Sequence, residues 1–366
     1  MNVHSEFRRA RRIAAMEISE IVQLSERAAA LRAAGKDVVA LSTGEPDFPT
    51  PAHVVDAANA AALAGKTRYP ATLGTPELRD AIARENGVHR AEVIVSTGAK
   101  QVLANAMLAT LDAGDEVIMP APYWTSYSDI VAMAGGSPVV LPCGMEQGFK
   151  LLPEQLEAAI TPKTRWLMLN SPSNPSGAIY STDEQRALAD VLGRHPHVMI
   201  LVDEIYAHLS FEPFTSFKEI APELAERMLV VNGVSKAYSM TGGRIGWGIG
   251  PAEMIRAMGA VQGQVTSGAS SISQAAALAA LNAIPGVHCP TPDGAFYVFP
   301  NMTEAMEMGG YASDADLCSA LLDEAGVAIV PGRAFGLPGH ARLSFAYSDA
   351  ELDAGLERMS AHLKGK

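Results

Sequence analysis

Cysteine is scarce in this chain, with three residues, Cys143, Cys289 and Cys318, among 366. An odd number without paired ligand spacing excludes a disulfide framework and a zinc-type cysteine cluster, and it predicts a reducing compartment. Positive charge is also short: 28 Lys and Arg stand against 40 Asp and Glu, for a net charge of −12. That balance argues against nucleic acid and anionic membrane as partners, since both draw on clustered Lys and Arg. The basic run "RRARR" (Arg8–Arg12) is short and reads as a solvated arm. No apolar run reaches the length of a membrane span, because charges, Gly and Pro interrupt each one. The first residues have no apolar signal-peptide core, so a cytoplasmic location is expected. The histidines form no ligand cluster, and His195 and His197 flank Pro196 in an expected helix–strand connection.

What is present is a 48% hydrophobic chain, long enough for a large core and more than one domain. Helical stretches alternate with short apolar runs. "SEIVQLSERAAALRAAGKD" predicts an amphipathic helix ending near Gly35, and "TPELRDAIARENG" a helix with Thr75 as cap, Pro76 at its start and Gly87 at its stop. "AEVIVSTGAKQVLANAMLATLDAGD" reads as strand, tight turn and helix. "EVIMPAP", "SPVVLPC", "RWLMLNSPS", "VMILVDEIY" and "MLVVNGVS" are further strand signals bounded by turn residues. This alternation implies βαβ crossovers and a mostly parallel sheet covered on both faces, an α/β fold.

The polar residues gather just after these strands, at Ser96–Lys100, Asn170–Gly177, Asp203–Tyr206 and Ser235–Arg244. Open α/β sheets bind ligands outside the carboxyl ends of their strands, so one pocket can collect all four loops. Each residue has an ordinary structural explanation as well. Asp203, straight after five apolar residues, is expected to be buried, and can be an N-cap, a salt-bridge partner or the partner of a ligand cation. "STGAKQ" opens a helix whose free N–H groups favour a phosphate, yet it matches neither the dinucleotide fingerprint nor the nucleotide-binding P-loop. Trp124 in "PAPYWTSY" fits core packing or the face of a planar ring. Asn174 in "NSPSNPSG" can serve only its turn, and Tyr206 can simply be packed. Lys236 and Arg244 can be solvated loop charges. Taken together they specify a ligand with an aldehyde for the lysine, a ring nitrogen for the acid, a phenolic oxygen and a phosphate. That ligand is pyridoxal 5′-phosphate.

The chain resembles the fold-type I pyridoxal-phosphate aminotransferases, in the bacterial aspartate aminotransferase group. The runs that carry the resemblance are "GEPDFPTP", "RYPATLGTPELRDAI", "STGAKQ", "PAPYWTSY", "NSPSNPSG", "VDEIYAHL", "GVSKAYSMTGGRIGW" and "GHARLSFA", in family order over nearly the whole chain. The resemblance implies a large domain with a seven-stranded, mostly parallel sheet (46–283) and a smaller α+β domain from both chain ends (an arm and part of it in 1–45, the rest in 284–366). It implies that Lys236 holds the cofactor as a Schiff base and shuttles the proton, and that Asp203 pairs with the ring nitrogen. Asn174 and Tyr206 would bond the phenolic oxygen, and Trp124 would stack on the ring. Gly98, Ala99, Lys100, Ser235 and Arg244 would surround the phosphate, with Tyr69 reaching it from a neighbouring subunit. A homodimer with shared active sites follows. For the substrate, Arg342 would clamp the α-carboxylate bidentately. Gly44 would let the backbone approach, Trp124 and Asn174 would line the subsite, and Lys100 would meet the distal carboxylate of a dicarboxylic substrate.

Two departures from the family pattern stand out. Gly243 occupies a place where relatives commonly have Trp. The stretch from "SSISQAAALAALN" to "AIPGVHCPTPDGAFYVFP" is about two dozen residues short, judged against ordinary connection lengths. A helix from near Ser273 can therefore run only to about Ile284 before Pro285 stops it, so the helix linking the domains is expected to be shortened. A deletion, an altered chain or a different linkage would each produce this. The leading expectation is a transaminase that moves the amino group of aspartate or glutamate to a 2-oxo acid such as 2-oxoglutarate by a ping-pong mechanism. The alternatives are aromatic amino acids, prephenate or arginine as substrates, a racemase or carbon–sulfur lyase, or a cofactor-binding scaffold whose short interdomain segment impairs catalysis.

Overall fold

The computed structural model describes residues 9–14, 16, 18–42, 44–281 and 295–364. Its centre is a seven-stranded sheet. We number its strands β1 (Val93–Thr97), β2 (Glu116–Ala121), β3 (Ser137–Pro142), β4 (Thr164–Asn170), β5 (Met199–Asp203), β6 (Met228–Gly233) and β7 (Ile245–Ile249). They lie in the order 1-7-6-5-4-2-3, and every pairing is parallel except the two made by β7.

Alternation along the strands sends side chains to two cores. Val93, Val95, Leu167, Leu169, Ile200 and Val202 pack under helices Ala52–Leu63, Pro76–Glu85, Thr182–Arg194 and Ser271–Leu281. Ile94, Val117, Met119, Trp166, Leu201 and Leu229 pack under Ala99–Thr110, Ser126–Met133 and Ala252–Val265. The continuous apolar runs of the sequence are therefore strands buried on both faces.

Strand β7 has no counterpart among the strand signals of the sequence, because Gly246 and Gly248 break its apolar pattern. Those glycines are required by packing. A Cβ on Gly246 would run into the backbone of Gly98 and Ala99, and one on Gly248 would meet Val102 at 2.8 Å. Helix Ala99–Thr110 thus rests directly on the β7 backbone. Thr75 precedes helix Pro76–Glu85 as expected, but its side chain makes no capping bond. Ser181 does cap its helix, in a reciprocal box with Glu184.

The remaining sheet is small: β8 (Tyr297–Val298), β9 (Val330–Pro331) and β10 (Ala341–Ser344) form an antiparallel set in the order 9-10-8. A parallel ladder of Val39–Ala40 with Val327–Ala328 ties the N-terminal part of the chain to the C-terminal part. Helix Ser271–Leu281 begins close to the expected place. Its expected end near Ile284, Pro285, Cys289 and the domain boundary at 283 lie outside the described residues. Cys143 and Cys318 are free and buried. Among the described residues no helix is long and apolar enough to cross a membrane.

Candidate active site

The carboxyl ends of β1, β2, β4, β5 and β6 open into one cavity of about 470 Å³. Gly44, Ala99, Lys100, Trp124, Asn174, Asp203, Tyr206, Ser235, Lys236, Arg244 and Arg342 all line it. Gly98 lies at its edge, where its lack of a side chain leaves room for Arg244: a Cβ there would be 2.6 Å from Arg244 Nη2. Tyr69 is elsewhere, at the tip of a loop on the surface, and is 93% exposed.

Asp203 ends β5 and is 4% exposed. Its Oδ2 accepts from the Tyr127 hydroxyl at 2.7 Å and its Oδ1 from the Ile205 N–H at 3.2 Å. Burial outweighs these donors and the charge of Lys236, and it pushes the carboxyl up to about 6. A carboxylate so placed is stabilised by a cation in the cavity.

Lys236 follows β6. Its Nζ donates to the Gly44 carbonyl at 2.5 Å and lies 5.9 and 5.5 Å from the ring centres of Tyr206 and Phe296. Burial first, and the Arg342 guanidinium second, bring this amine down to about 8. Near neutral pH it holds a far larger neutral fraction than a surface lysine, the state that attacks carbonyls and accepts protons.

Arg342, on β10, is 2% exposed. Nη1 donates to Asn174 Oδ1 at 3.0 Å and Nη2 to the Ser42 carbonyl at 2.6 Å, while Nε has no protein partner. Its guanidinium lies 4.3 Å over the Tyr297 ring and 5.1 Å from that of Phe335. The guanidinium is held between these groups, and its Nε N–H remains unpaired.

Arg244 adopts a left-handed conformation (φ 53°) and donates to the Thr241 carbonyl at 2.9 Å. Its guanidinium sits over Gly98, at the start of helix Ala99–Thr110, so a guanidinium and the open N–H groups of a helix start converge there. The space beside Gly243 is taken in part by Met240, whose Cε would lie 3.3 Å from a Cβ at that glycine. Lys100 Nζ stands 4.7 Å over the Trp124 ring, and burial together with Arg244 lowers its amine.

Seven residues that line the cavity were not singled out from the sequence, and four of them bear on its geometry. Tyr127 lies in "PAPYWTSY", three residues after Trp124, on the first turn of helix Ser126–Met133. Asn170 ends β4; its amide donates to the Asp203 carbonyl at 2.8 Å and accepts the Asn174 N–H at 2.8 Å, fixing the turn that carries Asn174. Glu45 accepts from Thr241 Oγ1 at 2.5 Å. Tyr297, in "GAFYVFP", is 1% exposed, with its hydroxyl 3.2 Å from that of Tyr206. It also supplies a structural reason for Gly44, where a Cβ would overlap the Tyr297 hydroxyl.

Comparison with known proteins places this cavity in a family. Residues 36–287 and 279–359 match the family described as aminotransferase class I and II. The aspartate aminotransferase of Rhizobium meliloti is 48% identical over 98% of this chain and 97% of its own length. An aspartate/prephenate aminotransferase of Cereibacter sphaeroides is 48% identical over 96% and 98%. Among solved structures, the aspartate aminotransferase of Rhizobium meliloti superposes with a TM-score of 0.89 over 98% of this chain and 99% of that one, at 48% identity. That of Thermus thermophilus with maleate does so with a TM-score of 0.89 over 98% and 100%, at 40% identity. The alignment with the first relative runs over 396 positions, more than the 366 residues here, so that relative has residues without a counterpart. The family match breaks at residues 279–287, where the sequence runs short. On either side of that break the likeness extends through the strands and the loops they carry, and the chain belongs to the class I and II aminotransferases.

Proposed function

We propose that this protein is a pyridoxal-phosphate transaminase that takes the amino group of aspartate or glutamate and gives it to a 2-oxo acid such as 2-oxoglutarate, in two half-reactions of a ping-pong cycle. The observation that carries the reading is the buried Lys236 amine, brought down to about 8, in one cavity with the buried Asp203 and the partly unpaired Arg342. When bound, the cofactor supplies an aldehyde for amine exchange and an electron-withdrawing ring that takes up the charge left when the α-proton departs.

The chain's residues supply the rest. Lys236 Nζ would hold the cofactor at its aldehyde carbon, and the same amine, when free, is the base placed to take a proton from the substrate α-carbon. Asp203, its anion steadied by Tyr127 and Ile205, would pair with the ring nitrogen and favour its protonated form. Asn174 Oδ1 is taken by Arg342, which leaves its amide N–H groups, with the Tyr206 hydroxyl, as the donors that would bond the phenolic oxygen. Trp124 covers the ring. Gly98, Ala99, Lys100, Ser235 and Arg244 receive the phosphate. The free N–H groups of Arg342 hold the α-carboxylate, and Lys100 attracts the distal one.

Two further readings accompany this one. A homodimer with shared sites accounts for Tyr69, an exposed aromatic on a loop held from beneath by Gln262, Ser271 and Gln274, which bond Thr72, Lys66 and Thr75. Residues 1–45 and 284–366 together make the smaller domain, a division supported by the Val39–Val327 ladder. Prephenate is a second acceptor, supported by the name of the Cereibacter sphaeroides relative.

The test is a scan of amino donors against the purified, cofactor-loaded protein, read by cofactor absorbance. Aspartate and glutamate are expected to convert the bound cofactor fastest. Cofactor uptake with no conversion by any amino acid would leave the scaffold alternative standing. Failure of borohydride to fix cofactor on Lys236 would remove the reading altogether.

A further inference from the structure

Tyr297 is the cavity residue whose contacts run furthest from any single task. It sits on β8 of the small sheet, yet its hydroxyl reaches across to Tyr206, which follows β5 of the large sheet, at 3.2 Å. The hydroxyl fills the space that Gly44 leaves by having no side chain. The face of its ring lies 4.3 Å beneath the Arg342 guanidinium. Phe296 packs obliquely against it at 4.7 Å between ring centres. A tyrosine used only for packing has no need of a glycine opposite its hydroxyl or of a second hydroxyl at its tip.

We propose that Tyr297 is a positioning residue that couples the two halves of the site: its ring carries Arg342 for the substrate carboxylate, and its hydroxyl donates to Tyr206 on the cofactor side. The proposal rests on the transaminase reading above, in which Tyr206 donates its own proton to the phenolic oxygen. The lone pairs of Tyr206 Oη are then free, and Tyr297 is the group placed to donate to them. A hydroxyl that accepts one hydrogen bond is a stronger donor in the next. Tyr297 thereby strengthens the bond that favours the deprotonated form of the cofactor linkage. Its ring supports the guanidinium by cation–π attraction between two buried side chains.

Two variants separate the two jobs. Tyr297→Phe removes the hydroxyl and keeps the ring. The pH midpoint of the visible absorption of the cofactor-loaded protein is expected to rise by about half a unit, while the dissociation constant for succinate, a dicarboxylate without an amino group, stays within about twofold. Tyr297→Leu removes both functions. It is expected to raise the midpoint similarly and to weaken succinate about tenfold. In a Tyr206→Phe background, Tyr297→Phe is expected to add no further midpoint shift, a dependence that a merely structural role would not produce.

An unchanged midpoint in Tyr297→Phe overturns the hydroxyl role. Full succinate affinity in Tyr297→Leu overturns the ring's role, and should that variant not fold, an additive midpoint shift in the double phenylalanine variant still refutes the coupling. The wild-type protein separates this from the underlying reading: if it takes up no cofactor or converts no amino acid, the transaminase assignment fails on its own account.

Discussion

Replacing Asp203 with Asn is expected to stabilise the cofactor-free protein and disable the loaded one. In the folded chain burial holds Asp203 at about 6 instead of 3.8. A carboxyl raised by about two units opposes folding by about 3 kcal/mol once it is fully ionised, at about 1.36 kcal/mol per unit. The sign follows from proton counting. Between pH 4 and 6 the folded state binds more protons than the unfolded one, so the stability linked to this group is complete below pH 4 and is lost as pH rises through 6. Roughly half is gone at pH 5 and all of it at pH 8. Asparagine cannot ionise and loses nothing. The Ile205 N–H can still be accepted by the amide oxygen, and the altered bond to Tyr127 adds an offset that does not depend on pH.

The stability of Asp203→Asn relative to wild type should therefore be greater at pH 8 than at pH 5, by about 1.4 kcal/mol. Urea unfolding of the two apoproteins at one protein concentration, at both pH values, measures this difference directly. A difference that is flat, or larger at pH 5, would refute the claim that the carboxylate is held against its desolvation for the sake of a bound cation. With cofactor present the same variant is expected to lose about a hundred- to a thousandfold in turnover, the usual result of removing a preorganised charge from a dry site.

Lys236, lowered to about 8 by burial and Arg342, should make cofactor uptake by the apoprotein pH-dependent. Stopped-flow absorbance is expected to show the rate climbing about tenfold per unit below pH 8 and levelling above it; a flat profile would rule out the amine as the nucleophile. Lys100→Ala should raise KM for aspartate and 2-oxoglutarate at least about tenfold and affect aromatic amino acids less, which steady-state kinetics on both donor classes at saturating cofactor will decide. Gly246→Ala should lower stability by about 2 kcal/mol or more, because its methyl group meets the backbone of Gly98 and Ala99 with nowhere to go. Thermal unfolding measures that loss, and a melting temperature equal to wild type would mean the helix start is not seated on β7.

The parts of the fold that could be read from sequence are those where one physical effect dominates. Runs such as "VMILV" and "MLVV" are buried on both faces and can hardly be anything but central strands. Strand β7 could not be read, because there the demand for close backbone approach overrode apolar patterning and put glycine at 246 and 248. The same competition divides the site. Asp203 is conspicuous because an acid behind five apolar residues is costly without a partner, whereas Lys236, which alone can be a solvated loop charge, gains its meaning from the loops that gather with it. Tyr127, Asn170 and Tyr297 carry no such signal, since a buried tyrosine or a turn asparagine is explained equally well by packing and turn formation.

Arg342 is the instructive middle case. By itself it is an arginine in a strand, and only the resemblance assigned it to the substrate carboxylate. The structure brings it from β10, beyond the short junction, to the cavity built from the loops of β1, β2, β4, β5 and β6, against Asn174, Ser42 and Tyr297. None of those contacts involves the segment where the family match breaks. The guanidinium is fixed by the Val39–Val327 and β8–β10 ladders and by its own partners. A shortened connection can therefore change how the two parts of the chain move without changing where Arg342 is held.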